Sequence, residues 1–169
     1  MRAAAALAAL ALVSCGYHVG GRADLVPKSV ETISIPAFGS TSTRYKLVDA
    51  LPQEIAREFT ARTRFRIVND PSLADAVLTG AINSVGIYPT VADPSTGNAT
   101  SVRVAVSLTL RLTERTTGKV LYSRPNWAFH QDYAQAVNAH QFFDESGPAF
   151  DRLSREVAHD VVSAVVENF

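Results

Sequence analysis

The amino-acid sequence predicts an α+β domain, a two-layer sandwich in which two amphipathic helices pack on one face of a mainly antiparallel four- to five-stranded sheet. Two observations support this prediction. Residues 101–113 alternate without interruption between aliphatic residues and polar or small ones, which is the period of a half-buried strand. Residues 48–59 and 150–165 instead carry apolar residues at helical spacing. Amphipathic helices and a one-sided sheet bury their apolar faces against each other as two layers.

The first strand is expected over residues 30–37, where β-branched residues alternate with polar ones. Pro36 has no amide hydrogen for the ladder, so it must lie near the strand end or at a sheet edge. The polar stretch 38–43 then predicts a loop.

The first helix is predicted from one apolar stripe with spacing i, i+3, i+7 and i+11, formed by Val48, Leu51, Ile55 and Phe59. We expect this helix to end near Thr63, whereas two starts remain open. If Asp49 is the N-cap, Pro52 falls in the first turn, where its missing amide hydrogen costs nothing. If the helix starts near Arg44, Pro52 lies inside it and must kink it.

Two further strands are expected before the middle of the chain, a short one at residues 65–67 and a longer one at 76–87. Asp75 directly precedes the longer strand and has the character of a cap or turn residue. Residues 89–100 contain two prolines, a glycine and an asparagine, so a long loop is predicted there.

The strand at 101–113 is the clearest in the chain, and its aliphatic face comprises Val102, Val104, Val106, Leu108, Leu110 and Leu112. A turn at 114–118 leads to a return strand at 119–129, in which Pro125 indicates an edge or a bulge. Residues 131–145 are polar and predict a loop or a short helical turn. The last helix is expected to start at Ser146-Gly147-Pro148, and its apolar stripe comprises Phe150, Leu153, Val157, Val161, Ala164 and Val165.

The N-terminus resembles a bacterial lipoprotein signal. Arg2 precedes an uncharged apolar run at residues 3–13, which is too short to span a bilayer, since that needs about 20 apolar residues. The run ends in Leu12-Val13-Ser14-Cys15, which resembles a lipobox. In that family of signals the cysteine receives a diacylglycerol, the chain is cut before it and the new amine is acylated. Several acyl chains together give a stable membrane anchor.

Cys15 is therefore the predicted lipidation site, and its acyl chains are the only non-protein groups expected; no cofactor or metal is predicted. Gly16 follows it, where an aspartate would indicate retention in the inner membrane, so the outer membrane is expected. The predicted organisation is a signal peptide at 1–14, a lipidated tether at 15–28 and one α+β domain at 29–169. The chain has 16 basic and 16 acidic residues, which does not favour nucleic acid as a partner.

No catalytic constellation is present in the sequence, and an enzyme is not expected. His130 and His140 lie on either side of Asp132, a spacing that permits a metal or hydrolase site, but solvated surface histidines are the favoured interpretation. The polar face of strand 101–113 is of more interest because it carries Arg103 and Arg111, and guanidinium groups suit phosphates. Further basic residues follow in the hairpin: Arg115, Lys119 and Arg124.

A succession of short motifs resembles the lipopolysaccharide-assembly lipoproteins of the LptE family. The segment Cys15-Gly16-Tyr17-His18 is similar to the start of their mature chains. The residues Ile-Ser-Ile-Pro-Ala-Phe at 33–38, with the helix after them, are similar as well. The block Ala-Asp-Ala-Val-Leu-Thr-Gly-Ala-Ile at 74–82 looks like the second strand block of that family.

This resemblance implies a two-helix, four-stranded sandwich that sits inside a large outer-membrane β-barrel, LptD, as a plug and helps insert lipopolysaccharide into the outer leaflet. Basic residues are implicated in lipopolysaccharide binding in that family, but residues 89–100 contain no Lys or Arg here. The binding role is then expected at Arg111, Lys119 and Arg124. The alternative is another periplasmic lipoprotein that acts as an accessory or activator of a cell-envelope machine.

Overall fold

The computed structural model describes residues 26–40, 45–92, 94, 99–134 and 142–167. Its elements, in chain order, are β1 (Thr32–Ser34), β2 (Gly39–Ser40), α1 (Tyr45–Arg62), β3 (Arg66–Ile67), β4 (Ala76–Ala92), β5 (Ala99–Glu114), β6 (Val120–Ala134) and α2 (Phe142–Glu167). A 3₁₀ helix at Pro71–Leu73 precedes β4. Among these residues, no helix combines the length and apolarity needed to cross a bilayer.

The sheet is mixed and has six strands. Its order is β3-β1-β4-β5-β6, and β2 also pairs with β4. β1 is parallel to both β3 and β4, and β2 is parallel to β4, whereas β4, β5 and β6 form an antiparallel ribbon. The predicted α+β architecture with two helices is confirmed. The predicted mainly antiparallel sheet of four to five strands is not exact, because the described residues include three short parallel pairings and a sixth strand. A helix that connects two neighbouring strands returns the chain in the parallel direction, as α1 does between β1 and β3.

The ribbon is longer than the sequence indicated, because residues 89–92, 99 and 100 of the predicted loop at 89–100 are strand. β4 and β5 remain paired from Pro89 opposite Val102 to Ala92 opposite Ala99. β1 and β2 pair only with the first half of β4, so the second half has β5 as its one described neighbour. Pro89 is tolerated there because a strand with one neighbour does not need every amide hydrogen. β6 likewise continues to Ala134, into the polar stretch predicted as a loop.

Both helices start earlier than proline placement alone indicates. α1 begins at Tyr45, so Asp49 is not its N-cap and Pro52 lies inside the helix. α2 begins at Phe142, so the start predicted at Ser146 is wrong and Pro148 also lies inside the helix. An internal proline costs about 3 kcal/mol. In α1, burial on either side of Pro52 offsets this cost, since Leu51 and Ile55 are both fully buried.

The core lies between the helix pair and one face of the sheet. Leu51, Ile55 and Phe59 of the predicted α1 stripe are fully buried, and Val48 packs at the edge of the core. All six aliphatic residues of the β5 face are buried, and so is every residue of the predicted α2 stripe. Val26, in the segment predicted as a tether, is also buried in this core.

Asp75 holds the start of β1 against the start of β4. Its Oδ2 accepts hydrogen bonds from the backbone amide of Glu31 at 2.9 Å, from the amide of Thr32 at 2.9 Å and from the Thr32 hydroxyl at 2.8 Å. The Asp75 amide donates to Thr32 Oγ1 at 2.9 Å. These bonds, led by the one from Glu31, lower the pKa of the Asp75 carboxyl. The carbonyl of Asp75 in turn accepts from the Arg115 amide at 2.8 Å, which ties in the β5–β6 hairpin.

Phe38 fixes the other end of the same segment. Its ring is buried against Gly80 of β4, so closely that a Cβ at position 80 would lie 2.7 Å from the ring atoms. The next residue, Gly39, pairs with Ala81 in β2. The absence of a side chain at position 80 therefore makes room for Phe38 and allows β2 to reach β4.

Two β-bulges lie at the same level on either side of β5. The register of β4 shifts between Ile82 and Ser84, and that of β6 shifts opposite Leu108 to Leu110. Asn83 Nδ2 donates to Thr109 Oγ1 at 3.0 Å and to Asn126 Oδ1 at 2.8 Å, which links the three strands. Bulges increase the twist of a strand, so the sheet changes direction at this level.

We expect the Asp75→Asn substitution to destabilise the fold by about 1–2 kcal/mol at pH 7, because hydrogen bonds to a carboxylate are stronger than those to an amide. The contribution of the carboxylate is complete above its ordinary pKa of 3.8 and is lost as the pH falls through the lower folded-state pKa. Urea unfolding should therefore show that the difference from wild type narrows below pH 3.8. Asp151→Asn, at an exposed position in α2, is the control. A destabilisation that does not change with pH would contradict this role of the carboxylate.

We expect Gly80→Ala to destabilise the fold by about 1–3 kcal/mol, because the new methyl group overlaps the Phe38 ring. Gly39→Ala is a matched control, since its Cβ would meet no atom closer than 3.9 Å. A double-mutant cycle with Phe38→Leu, measured by urea unfolding, tests the contact directly. The cost of Gly80→Ala should fall in the Phe38→Leu background, and an unchanged cost would exclude this contact as the cause.

Candidate interaction surface

The middle of the sheet face opposite the helices is formed mainly by short side chains. These are Ala81 and Ser84 of β4, Ala105, Ser107 and Thr109 of β5, and Ala128 of β6. The β5 members are half-buried because neighbouring strands shield them, whereas Ser84 and Ala128 are exposed. Short side chains permit the close approach of a partner surface, and we call this side of the sheet the open face.

An ion pair closes one end of the open face. Arg103 donates two hydrogen bonds to Asp132, from Nε to Oδ1 and from Nη2 to Oδ2, both at 2.7 Å. This bidentate pair raises the pKa of Arg103 and lowers the pKa of Asp132. Both side chains are exposed to water, so the pair positions its charges more than it stabilises the fold. Beside it, Tyr88 lies across Gly86, where a Cβ would clash with its ring and hydroxyl.

Arg111 lies towards the other end of the open face. It is paired with Thr79 of β4 and Ser123 of β6, and it is exposed. No hydrogen bond or ion pair of its guanidinium group is found among the described residues. Lys119 is exposed at the end of the β5–β6 turn, a short distance further along the same hairpin. Arg111 and Lys119 thus have the accessibility that binding of an anionic group requires.

Arg124 faces the opposite side of the sheet, so the three basic residues predicted from the sequence do not form one cluster. It is paired with Leu110, whose side chain is in the core, and residues directly opposite on antiparallel strands point to the same face. Its guanidinium carbon lies 4.6 Å from the centre of the Trp127 ring, in a cation–π contact. Arg124 therefore covers an aromatic residue at the sheet edge.

Tyr122 is beside this pair, and its hydroxyl oxygen is buried with no hydrogen-bond partner of good geometry among the described residues. Burial raises the pKa of Tyr122, and the nearby Arg124 partly offsets that rise. Arg124 is thus also the nearest charge to a buried hydroxyl, which further separates its role from that of Arg111.

Among the residues that the structure describes, the remaining candidates do not form a catalytic site. His130 is exposed on β6, Asp132 is held by Arg103, and His140 lies outside the described residues. His159 Nδ1 lies 3.2 Å from Glu58 Oε1 and 3.1 Å from Arg62 Nη1, where α1 and α2 meet. Within the described ranges, no group of three or more His, Cys, Asp or Glu residues is placed to hold a metal ion. Cys15 also lies outside the described residues.

A concavity of about 360 Å³ lies beside α1 and β3 and is lined by Ala56, Arg57, Thr60, Ala61 and Ile67. Its lining is almost wholly apolar, and the few polar groups around it do not converge on one point, as they would in a substrate pocket.

The family model for lipopolysaccharide-assembly proteins, LptE, matches residues 30–165. The chain belongs to the LptE family. The match begins at β1 and ends within the last turns of α2, so it includes the whole sheet and both helices. Among curated proteins, none matches this sequence.

Solved structures with the same fold include lipoproteins from several bacteria. Lipoprotein B from Nitrosomonas europaea is 13% identical, with a TM-score of 0.57 over 89% of this chain and 90% of that one. The rare lipoprotein B from Shewanella oneidensis is 12% identical, with a TM-score of 0.53 over 79% and 92%. PelC from Paraburkholderia phytofirmans, solved as a dodecamer, is 15% identical, with a TM-score of 0.53 over 83% and 89%. At such identities the likeness concerns the fold alone.

The two internal motifs that indicated this LptE family from the sequence are neighbours in the structure. Ile33 pairs with Ala76 and Ser34 with Val77, while Asp75 and Gly80 contact Thr32 and Phe38 respectively. The motifs therefore specify one joint between β1 and β4. The Arg103–Asp132 pair was not predicted, because Asp132 was assigned to a loop or a short helical turn. The apolar alternation of β6 stops after Phe129, since His130, Gln131 and Asp132 are all polar, so the sequence carries no period-two signal for this end of the strand.

Proposed function

We propose that this LptE-family chain is an outer-membrane lipoprotein that plugs and helps assemble the lipopolysaccharide-export barrel LptD, and that it aids insertion of lipopolysaccharide into the outer leaflet. The observation that carries the proposal is the family match over residues 30–165, which spans every strand and both helices. The role is binding and structural rather than enzymatic.

The open face supports a plug that contacts a barrel wall. Its short side chains permit close approach over three long strands, and the paired charges of Arg103 and Asp132 add a neutral polar group at one end. The backbone hydrogen bonds that join β4, β5 and β6 also hold the ribbon together when another protein surrounds it.

The basic residues divide into two roles in this proposal. Arg111 and Lys119 are the accessible positions for the phosphate groups of lipopolysaccharide, since guanidinium and ammonium groups bind phosphate well. Arg124 was also predicted as a lipopolysaccharide contact. Its stacking on Trp127 makes it the weakest of the three, because binding a ligand there means giving up that contact.

Lipidation at Cys15 supplies the membrane attachment in this proposal. A diacylglycerol and an N-linked acyl chain hold a folded domain at a membrane far more firmly than one chain does. The described domain fits this arrangement, since its apolar helix faces are buried against the sheet.

We expect a tagged copy of the chain to copurify with a stoichiometric large β-barrel protein from detergent-solubilised outer membranes, with the partner identified by mass. Depletion of the chain should lower the level of that barrel and of surface lipopolysaccharide. Normal barrel levels in depleted cells would contradict the plug, and a soluble partner would support the alternative of an accessory to another envelope machine.

The same system tests the basic positions. Arg111→Glu should reduce crosslinking to lipopolysaccharide at least severalfold, because it places a negative charge beside the phosphates. Arg155→Glu makes the same charge change at an exposed position on α2 and is the matched control. Equal losses in both variants would show a nonspecific charge effect and would contradict a binding role for Arg111.

We expect Cys15→Ala to yield a folded protein that leaves the membrane fraction after a high-salt wash, because no acyl chain can be attached. Cell fractionation measures this, and urea unfolding shows that stability is unchanged. Retention of the variant in the washed membranes of cells that lack the barrel would contradict the lipid anchor.

A further inference from the structure

At one end of the domain, the segment that begins at Val26 lies beside several turns. β1, β3 and β4 run in parallel from this end, and β5 finishes there, so segments 26–31, 64–66, 71–75 and 114–120 are neighbours. Hydrogen bonds join them: Arg66 N–H to Glu31 O at 2.9 Å, Arg64 Nη1 to Val30 O at 3.0 Å and Arg115 Nε to Ala74 O at 2.6 Å. We call this the proximal end.

The proximal end is basic at its surface. Its exposed cationic side chains are Lys28, Arg64, Arg66, Arg115 and Lys119. Most of its carboxylates are turned to local partners: Asp75 binds β1, Asp70 accepts from the amide of Ser72 at 2.8 Å, and Glu114 accepts from the Thr117 hydroxyl. Glu31 and Asp70 are exposed, whereas Asp75 and Glu114 are half-buried. The exposed charged side chains of this end therefore comprise five cations and two carboxylates, an excess of positive charge that the balanced composition of the whole chain does not show.

Two exposed aliphatic residues stand among these charges. Leu73, on the 3₁₀ helix, is 71% exposed, and Val120, at the start of β6, is 46% exposed. Leu73 immediately precedes Ala74, and the carbonyl of Ala74 accepts a hydrogen bond from Arg115 in the hairpin turn. Leu73 is therefore close to that turn. Aliphatic side chains surrounded by Lys and Arg are typical of surfaces that lie at the boundary between headgroups and acyl chains.

Chain length keeps this end close to a membrane that holds Cys15. Val26 stands eleven positions after Cys15, so covalent geometry limits their separation to about 40 Å. The opposite, distal end of the sheet is another ~40 Å away, because Val120 pairs with Thr113 and Val91 pairs with Ser101 at the other end of β5. The tether therefore keeps the proximal end within reach of the lipid surface, and in an upright domain the distal end lies ~40 Å farther from it.

We propose that the proximal end is a second membrane contact, in which the exposed basic side chains bind anionic phospholipid headgroups and Leu73 and Val120 enter the interface. This inference rests on the proposed lipid anchor at Cys15, which supplies the high local concentration that a weak contact needs. The occupant is an anionic phospholipid surface because it matches both the charge and the exposed aliphatic residues. The contact orients the sheet with its long axis away from the bilayer.

The test is vesicle cosedimentation of residues 15–169 carrying Cys15→Ala, so that no acyl chain contributes. Vesicles contain phosphatidylcholine alone or with about one third phosphatidylglycerol. We expect binding to the anionic vesicles only, weakened by salt. Lys119→Glu should lower the partition coefficient roughly tenfold, since each basic residue near an anionic surface contributes about a fivefold factor. Val120→Ser should lower it about threefold.

Matched variants at other sites distinguish binding through the proximal end from nonspecific binding to vesicles. Arg155→Glu repeats the charge change on α2, and Val91→Ser repeats the apolar change at the distal end, where Val91 is 56% exposed. Both should bind like the parent. Equal losses in the controls, or no preference for anionic vesicles, would overturn the proposal. So would a Lys119→Glu protein that binds vesicles normally but fails to copurify the barrel, because the surface would then belong to the protein partner.

The test of the second membrane contact is independent of the test of the lipid anchor. Acylation of Cys15 is measured by the mass of the protein from cells, and it does not depend on the proximal end. An acylated wild-type protein whose unacylated variant ignores anionic vesicles would leave the anchor standing and remove the second contact. A protein that is not acylated but binds anionic vesicles through Lys119 and Val120 would remove the anchor and leave the second contact standing.

Discussion

The joint between β1 and β4 is the constraint on which the rest of the fold depends. β1 has only three residues, so its own ladder of hydrogen bonds is short, yet it connects β3 to the long strands. Asp75 compensates at one end by holding Glu31 and Thr32, and Phe38 compensates at the other by packing on Gly80. Because this segment is held at both ends, α1 can start on the helix side of the sheet and return the chain to β3 in the parallel direction.

The antiparallel ribbon then gives the domain two different faces. Strict alternation along β5 sends Val102, Val104, Val106, Leu108, Leu110 and Leu112 to the helices and leaves short side chains, flanked by Arg103 and Arg111, on the open face. The paired bulges, joined by Asn83, Thr109 and Asn126, change the direction of the ribbon without breaking it. One face of the ribbon is thus committed to folding, and the other is accessible.

Arg111 and Arg124 show that residue spacing alone does not predict which face of the sheet a side chain occupies. Arg111 and Arg124 belong to the same hairpin, but they face opposite sides of the sheet. Tyr122 and Trp127 are an odd number of positions apart, and both are on the helix side only because a bulge at Asn126, with a φ of 50°, inserts one extra residue. Arg124, between them, then packs its guanidinium over Trp127 instead of joining Arg111. Pro125 indicated an edge or a bulge in the sequence. It did not indicate that the bulge would place Arg111 and Arg124 on opposite faces of the sheet.

The sequence by itself determined the class of fold, both helix stripes, the buried face of β5 and the LptE family, because each depends on periodicity or on short contiguous motifs. Only the tertiary structure decided the parallel pairing of β1, the length of the ribbon, the helix starts and the face that each arginine occupies. These depend on contacts between distant residues. Pro52 is accepted inside α1 because Leu51 and Ile55, on either side of it, are buried. Pro89 is accepted inside β4 because neither β1 nor β2 reaches that level. Asp132 becomes a strand residue because Arg103 meets it across β5 and β6.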